Sequence, residues 1–178
     1  MFLSTKKLAF LGLLLAITVM LVVASGILEF NTLFLLVAAS FCIGVAIREC
    51  GLRYGIGFYI ASVLLSFILA PNKLYVFTFL CFGLYLSLTD LAWEVLARHK
   101  TIRNTKMIFW FIRFFLFNLL YIPIILLLPN LFYQGKINTP IIGILLLGGQ
   151  FGLVLYDRAY NYFQNSLWNK IRTHFHFD

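Results

Sequence analysis

The chain has 178 residues, of which 62% are hydrophobic and 11% charged, with a mean hydropathy of +0.97, against about 25% charged in ordinary soluble domains. That excludes a soluble globular domain and predicts an integral membrane protein, with no room beside the bundle for a soluble domain of roughly 100 residues. The net charge of +8 would suggest nucleic acid in a soluble protein, but here the cations fall between apolar runs, where they set topology and meet anionic lipid, so no nucleic-acid partner is expected.

Lys6 and Lys7 precede an apolar run over 8–27 that ends in the small residues Ala24, Ser25 and Gly26. A signal peptide has this pattern, yet the run exceeds the ~7–15 residues of an ordinary h-region, and a retained first span is expected. Gly12 and Ala16 give it a small-xxx-small pair for helix packing. Glu29 and Asn31 form a turn before a short second span, 32–47, with Ser40 and Gly44 at the same spacing. Arg48, Glu49 and Arg53 make a basic corner. Spans 54–70 and 74–88 then fold back on each other across Pro71-Asn72-Lys73, where proline ends one helix and the polar pair meets water. Gly57, Ala61, Ser62, Ser66 and Ala70 recur at helical spacing on the first arm, which predicts close approach of a neighbouring helix.

Thr89 to Lys106 is the longest hydrophilic stretch. Leu91, Ala92, Val95 and Leu96 form a stripe opposite Arg98, Lys100, Arg103 and Lys106, which suits either an interfacial amphipathic helix facing lipid or partners, or a solvated connector. A fifth span, 107–128, opens on a belt of aromatic residues and contains Arg113, Asn118 and Pro123; Arg113 is expected to snorkel or to pair with Asp90. After a polar loop over 129–140, a sixth short span, 141–155, carries Gly148 and Gly152 in a GxxxG, and an aromatic tail follows. Lys6, Lys7, Arg48, Arg53, Arg98, Lys100, Arg103, Lys106, Arg158, Lys170 and Arg172 fall on one side of these spans, and Lys73 and Lys136 on the other. The fold expected is all-α: a six-transmembrane-helix bundle in the cell membrane, with both termini and an amphipathic segment between helices 4 and 5 in the cytoplasm.

Chemistry-bearing patterns are sparse. No predicted span holds two carboxylates or a histidine, and no GxxxxGK[ST] loop is present, so neither an enzyme nor a self-powered pump is expected. Cys42, Cys50 and Cys81 stand singly, and His174 with His176 is too little for a metal, so no metal or cofactor is expected. Asn118, about 17 Å into the fifth span, and Gln150, about 15 Å into the sixth, reach mid-membrane. They either bond across adjacent helices or line a small polar site. Glu29, Asn72, Tyr75, Asn130 and Gln134 gather at the outer face as loop residues or as the rim of a pocket.

Two N-terminal lysines, a small-residue first helix, six spans, cytoplasmic termini and no motor together resemble the S components of energy-coupling factor transporters, the membrane-embedded subunits that bind substrate. Glu49 to Tyr85, with its E-x-G-x-x-x-G, Y-x-A-S-x-L-L-S and P-N-K elements, is similar to small membrane proteins of Gram-positive bacteria grouped near that family. The resemblance implies capture of a small organic nutrient and dependence on a coupling membrane subunit and ATPases. It also implies docking through the first helix, where Gly12-x-x-x-Ala16 departs from the family's AxxxA. A metal-binding N-terminal histidine is missing, so nickel or cobalt is not the implied ligand. The other reading is a non-transporting scaffold that recruits partners or lipid at the cytoplasmic face.

Overall fold

The structure, a computed structural model, describes residues 4–28, 31–98, 105–127 and 139–172. Its helices are α1 (Thr5–Ser25), α2 (Thr32–Cys50), α3 (Leu52–Leu69), α4 (Lys73–Arg98), α5 (Thr105–Leu127) and α6 (Thr139–Tyr162). A π-helical stretch, Phe163–Trp168, continues α6 into a last turn, α7 (Asn169–Arg172). Six helices are long and apolar enough to cross a membrane, and the described residues contain no strand, which fits a multi-pass integral membrane protein.

Two tight corners organise the first four helices. Gly51 alone separates α2 from α3; its φ of 88° and ψ of 161° lie in a region essentially reserved for glycine. Its N–H donates to Ile47 O at 2.8 Å and its carbonyl accepts from Gly55 N at 3.0 Å, so both helix ends are satisfied at one residue. At the other end, α3 stops before Pro71, and Asn72 Oδ1 accepts the Leu74 N–H at 3.0 Å as the cap of α4. Lys73 Nζ closes the α3 C-terminus by donating to the carbonyls of Ala70 (2.9 Å) and Phe67, and lies 5.1 Å from the Phe67 ring centroid. The predicted hairpin therefore forms, and Gly26 at the end of α1 packs against Pro71.

The core runs through α1 to α4 around Val22, Leu36, Ala39, Ile43, Ala46 and Phe79, all fully buried. Ser62, Ser66 and Ala70 line up inside it, as their spacing predicted. Ser62 Oγ donates to Tyr59 O at 2.8 Å, whereas the buried Ser66 Oγ has no partner. An unsatisfied buried hydroxyl costs about 1–3 kcal/mol and an extra branched side chain in a packed core a similar amount. Ser66→Ala is therefore expected to raise the melting temperature in detergent, and Ser66→Leu to lower it.

Of the other small residues, Ser40 and Gly44 on α2 are buried against Tyr156 and Tyr160 of α6, Gly57 of α3 is exposed, and the two remaining pairs are not packing surfaces within the chain. Gly12 and Ala16 on α1, and Gly148 and Gly152 on α6, are exposed, and a Cβ on any of these glycines would meet nothing. Close approach occurs elsewhere, where a tyrosine ring fills the space a glycine leaves. Tyr59 of α3 sits on Gly83 of α4 and donates to Leu80 O at 2.7 Å; Tyr121 of α5 sits on Gly149 of α6 and donates to Leu145 O at 2.8 Å. Each ring is thus anchored to a carbonyl one turn from the glycine that receives it, so packing and hydrogen bonding select one position.

Helix lengths correct the predicted spans. α2 continues to Cys50, and α4 runs unbroken through Leu88 to Arg98 with Thr89 and Leu96 buried. The stretch from Thr89 to Arg98 is therefore the end of α4 and not a separate amphipathic helix. Arg98 and Lys106 are helical, while Lys100 and Arg103 lie outside the described residues, as do Glu29, Asn130, Gln134, Lys136, His174 and His176. α6 likewise passes Leu155. These extensions bring Asp90, Glu94 and Asp157 into membrane-length helices, overturning the expectation that no such helix holds two carboxylates.

Candidate functional site

α5 and α6 join the first four helices differently from the way those four join one another. Only 6% of the α5 span and 11% of the α6 span is buried, against 56% of α2: α5 lies along α4, with Phe109 4.8 Å from Trp93 and Phe117 6.1 Å from Tyr85, and α6 reaches α2 through side chains. Within the pair, Asn118 and Gln150 do meet. Gln150 Nε2 donates to Asn118 Oδ1 at 2.8 Å, Asn118 Nδ2 lies 3.5 Å from Gln150 Oε1, and that nitrogen also donates to Phe114 O at 2.8 Å. Of the two readings of these amides, the structure has the interhelical bond. Asn72 is spent on its cap, and Tyr75, half-buried, packs against the α1–α4 core, so neither joins the amides.

The seam between α6 and α2 is a ladder, and the two helices run parallel. Ser40 Oγ gives its one proton to Val37 O at 2.7 Å and so accepts from Tyr156 OH at 2.8 Å. One turn on, Tyr160 occupies the space beside Gly44. One turn further, Arg48 Nη1 donates to Gln164 O at 3.1 Å and to Gln164 Oε1 at 3.2 Å, while Gln164 Nε2 donates to Tyr160 OH at 3.3 Å. Residues four apart share a helix face, and here both helices present matched partners at that spacing. Phe41 lies 5.3–5.5 Å from the rings of Tyr156, Tyr160 and Phe163, and Phe82 stacks on Tyr156 at 5.3 Å.

Beside the ladder lies an ion pair that three helices build. Arg113 of α5 places Nη1 3.1 Å from Asp157 Oδ2 of α6, and Tyr85 OH of α4 donates to Asp157 Oδ1 at 3.1 Å. Both charged side chains are mostly buried, at 12% and 14% exposure. The Arg113 guanidinium lies 4.6 Å from the Phe109 ring centroid and its Nε has no partner. Asp90 of α4, the partner expected for Arg113, faces the same guanidinium and the Tyr160 hydroxyl, but the ion pair is made with Asp157. Chemically this is a polar strip in an aromatic wall, with two carboxylates of α4 and α6 sharing one guanidinium of α5. Removing one partner of such a buried pair leaves a charge without compensation, and the strip resists opening for that reason.

Asp157 of the ion pair and Tyr156 of the ladder escaped the sequence reading because both fell beyond the predicted end of the sixth span. A usable signal was present: Tyr156, Tyr160, Gln164 and Trp168 repeat every four residues and mark one helical face. No known family model, curated protein or solved structure matches the chain.

Proposed function

We propose that this chain is a membrane-embedded capture subunit for uptake of a small organic nutrient, energised by a separate ATP-driven module, and not an enzyme. The observation that carries the reading is the Arg113–Asp157 pair with Asp90, a cluster of charged residues where α5 and α6, each largely unburied, meet α4. Ionisable residues inside a bilayer are expensive and mark solute pathways by default, and many membrane transporters work by one bundle rocking against another around such a site. The ligand enters where α4, α5 and α6 meet, taking the place of the Arg113–Asp157 contact and of the Tyr85 bond to Asp157, with Asp90 facing the same guanidinium. The amide pair, engaged with itself, holds α5 to α6. The outward Gly12–Ala16 face of α1 is open to a coupling subunit. Both termini lie in the cytoplasm and Lys73 outside.

Untargeted mass spectrometry of molecules released from the purified protein tests this. The wild type and Gln150→Leu should release the same small molecule, because losing an interhelical amide pair costs only about 0.6 kcal/mol. Asp90→Asn should release little of it. A wild type that retains nothing, or a molecule lost on Gln150→Leu and kept on Asp90→Asn, contradicts the placement. For the orientation, a cysteine beside Lys73 should react with an impermeant reagent in intact cells and one beside Arg53 should not.

A further inference from the structure

The α2–α6 ladder breaks its register at the π-helical stretch. Its rungs pair residues 40 with 156, 44 with 160 and 48 with 164, a constant separation of 116. Continued as an α-helix, the next rung would set Trp168 opposite residue 52, beyond the end of α2 at Cys50. Trp168 instead turns back: its Nε1 donates to Glu49 Oε1 at 2.9 Å, a separation of 119, and Arg48 Nη2 donates to Asn169 Oδ1 at 2.9 Å, a separation of 121. The Trp168 ring is buried, 5.7 Å from that of Phe10 on α1. Of the slip from 116 to 119, the π-helical stretch Phe163–Trp168 takes up one residue more than an α-helix needs, and the long Trp168 and Glu49 side chains span the rest.

We infer that residues 163–168 are a register switch that latches the seam. In the latched form the π-turn seats Trp168 between α1 and the end of α2, and Arg48 holds Gln164 within the turn and Asn169 just after it. In the released form the same residues are α-helical. Every residue after them then turns by about 100° and moves by about 1.5 Å along the axis, which swings Trp168 away from Phe10 and Glu49. The π-helix is rare and occurs mostly as single turns within α-helices, so the latched form depends on Arg48 and the Trp168 pocket to persist. Release frees α6 from α1 and from the end of α2 while the rungs at Ser40 and Gly44 can still form. The switch stands whether or not a solute is carried.

Removing one residue from a π-turn restores an α-helix without moving the residues C-terminal to it. Deleting the exposed Asn165 should therefore keep Trp168 docked, leave the melting temperature unchanged or higher, and abolish switching. With Trp93 and Trp110 replaced by Phe, acrylamide quenching reads Trp168 alone. Arg48→Gln should raise the quenching constant several-fold in the full-length chain and leave it unchanged in the chain lacking Asn165. Equal increases in both chains would overturn the switch, and so would exposure of Trp168 by the deletion alone. Should the deleted chain fail to fold, hydrogen exchange on the wild type decides. Amides of 163–168 exchanging faster than those of Val154–Tyr162 support the switch, and equal protection overturns it.

Discussion

Arg113→Leu is expected to be among the most damaging single substitutions in the chain. It leaves Asp157 with the Tyr85 hydroxyl alone and removes the cation that faces Asp90, and breaking one side of a buried pair costs about 3–5 kcal/mol. The loss belongs to the orphaned carboxylates more than to the missing contact. Arg113→Leu combined with Asp157→Leu should therefore recover the part due to Asp157, since apolar replacement of a whole buried pair is often neutral, and leave only Asp90 without its cation. Denaturant or thermal unfolding of the four members of this cycle in detergent measures the coupling. A double variant as unstable as the sum of the two single ones would mean that the two side chains act independently.

Gly149→Ala should be nearly as severe, and Gly148→Ala and Gly152→Ala should be silent. A Cβ on Gly149 would overlap the Tyr121 ring, whose hydroxyl is bonded to Leu145 O; one on Gly148 or Gly152 would meet open space. Forcing extra volume into such a contact costs typically about 1–3 kcal/mol, and here it also detaches the Tyr121 anchor between α5 and α6. Tyr121→Ala in the same chain should relieve the clash, so the pair of changes should cost less than their sum. Melting temperatures of the three glycine variants check the ranking, which is the reverse of the one the GxxxG pattern suggests.

That reversal shows where the sequence is legible. Length and hydrophobicity of the runs were enough for six helices, and Pro71, Asn72 and Lys73 marked a corner because each acts on its own backbone neighbourhood. Ser62, Ser66 and Ala70 were readable as a buried stripe because three small residues share one face with no large side chain among them. Two-residue patterns were uneven: Ser40 with Gly44 is a buried pair packed against Tyr156 and Tyr160, but two others are not. Gly12 with Ala16 and Gly148 with Gly152 satisfy the spacing rule, yet which face of an apolar helix turns inward depends on what the neighbouring helix brings, and Tyr121 chooses Gly149. Helix ends failed for a related reason. Charged residues were read as the limit of each span, whereas Asp90 and Asp157 continue into buried positions because Arg113 on a third helix compensates them, a long-range fact no local window contains. Half of the candidate site was visible: Asn118, Gln150, Arg113 and Asp90 were singled out, the first two bond to each other, and Arg113 pairs with Asp157 where Asp90 was expected. The ladder opposite Ser40, Gly44 and Arg48 lay in the tail beyond Leu155.

The claim that this chain captures a solute for a separate motor is tested most directly by isolating it, tagged, from its own membranes in mild detergent and analysing what comes with it. The account predicts a coupling membrane subunit, a pair of nucleotide-binding subunits, and a small organic molecule that is released when ATP is added. A chain recovered without ATPases and without a retained molecule, bound instead to a cell-envelope or signalling protein, would contradict it and favour the scaffold.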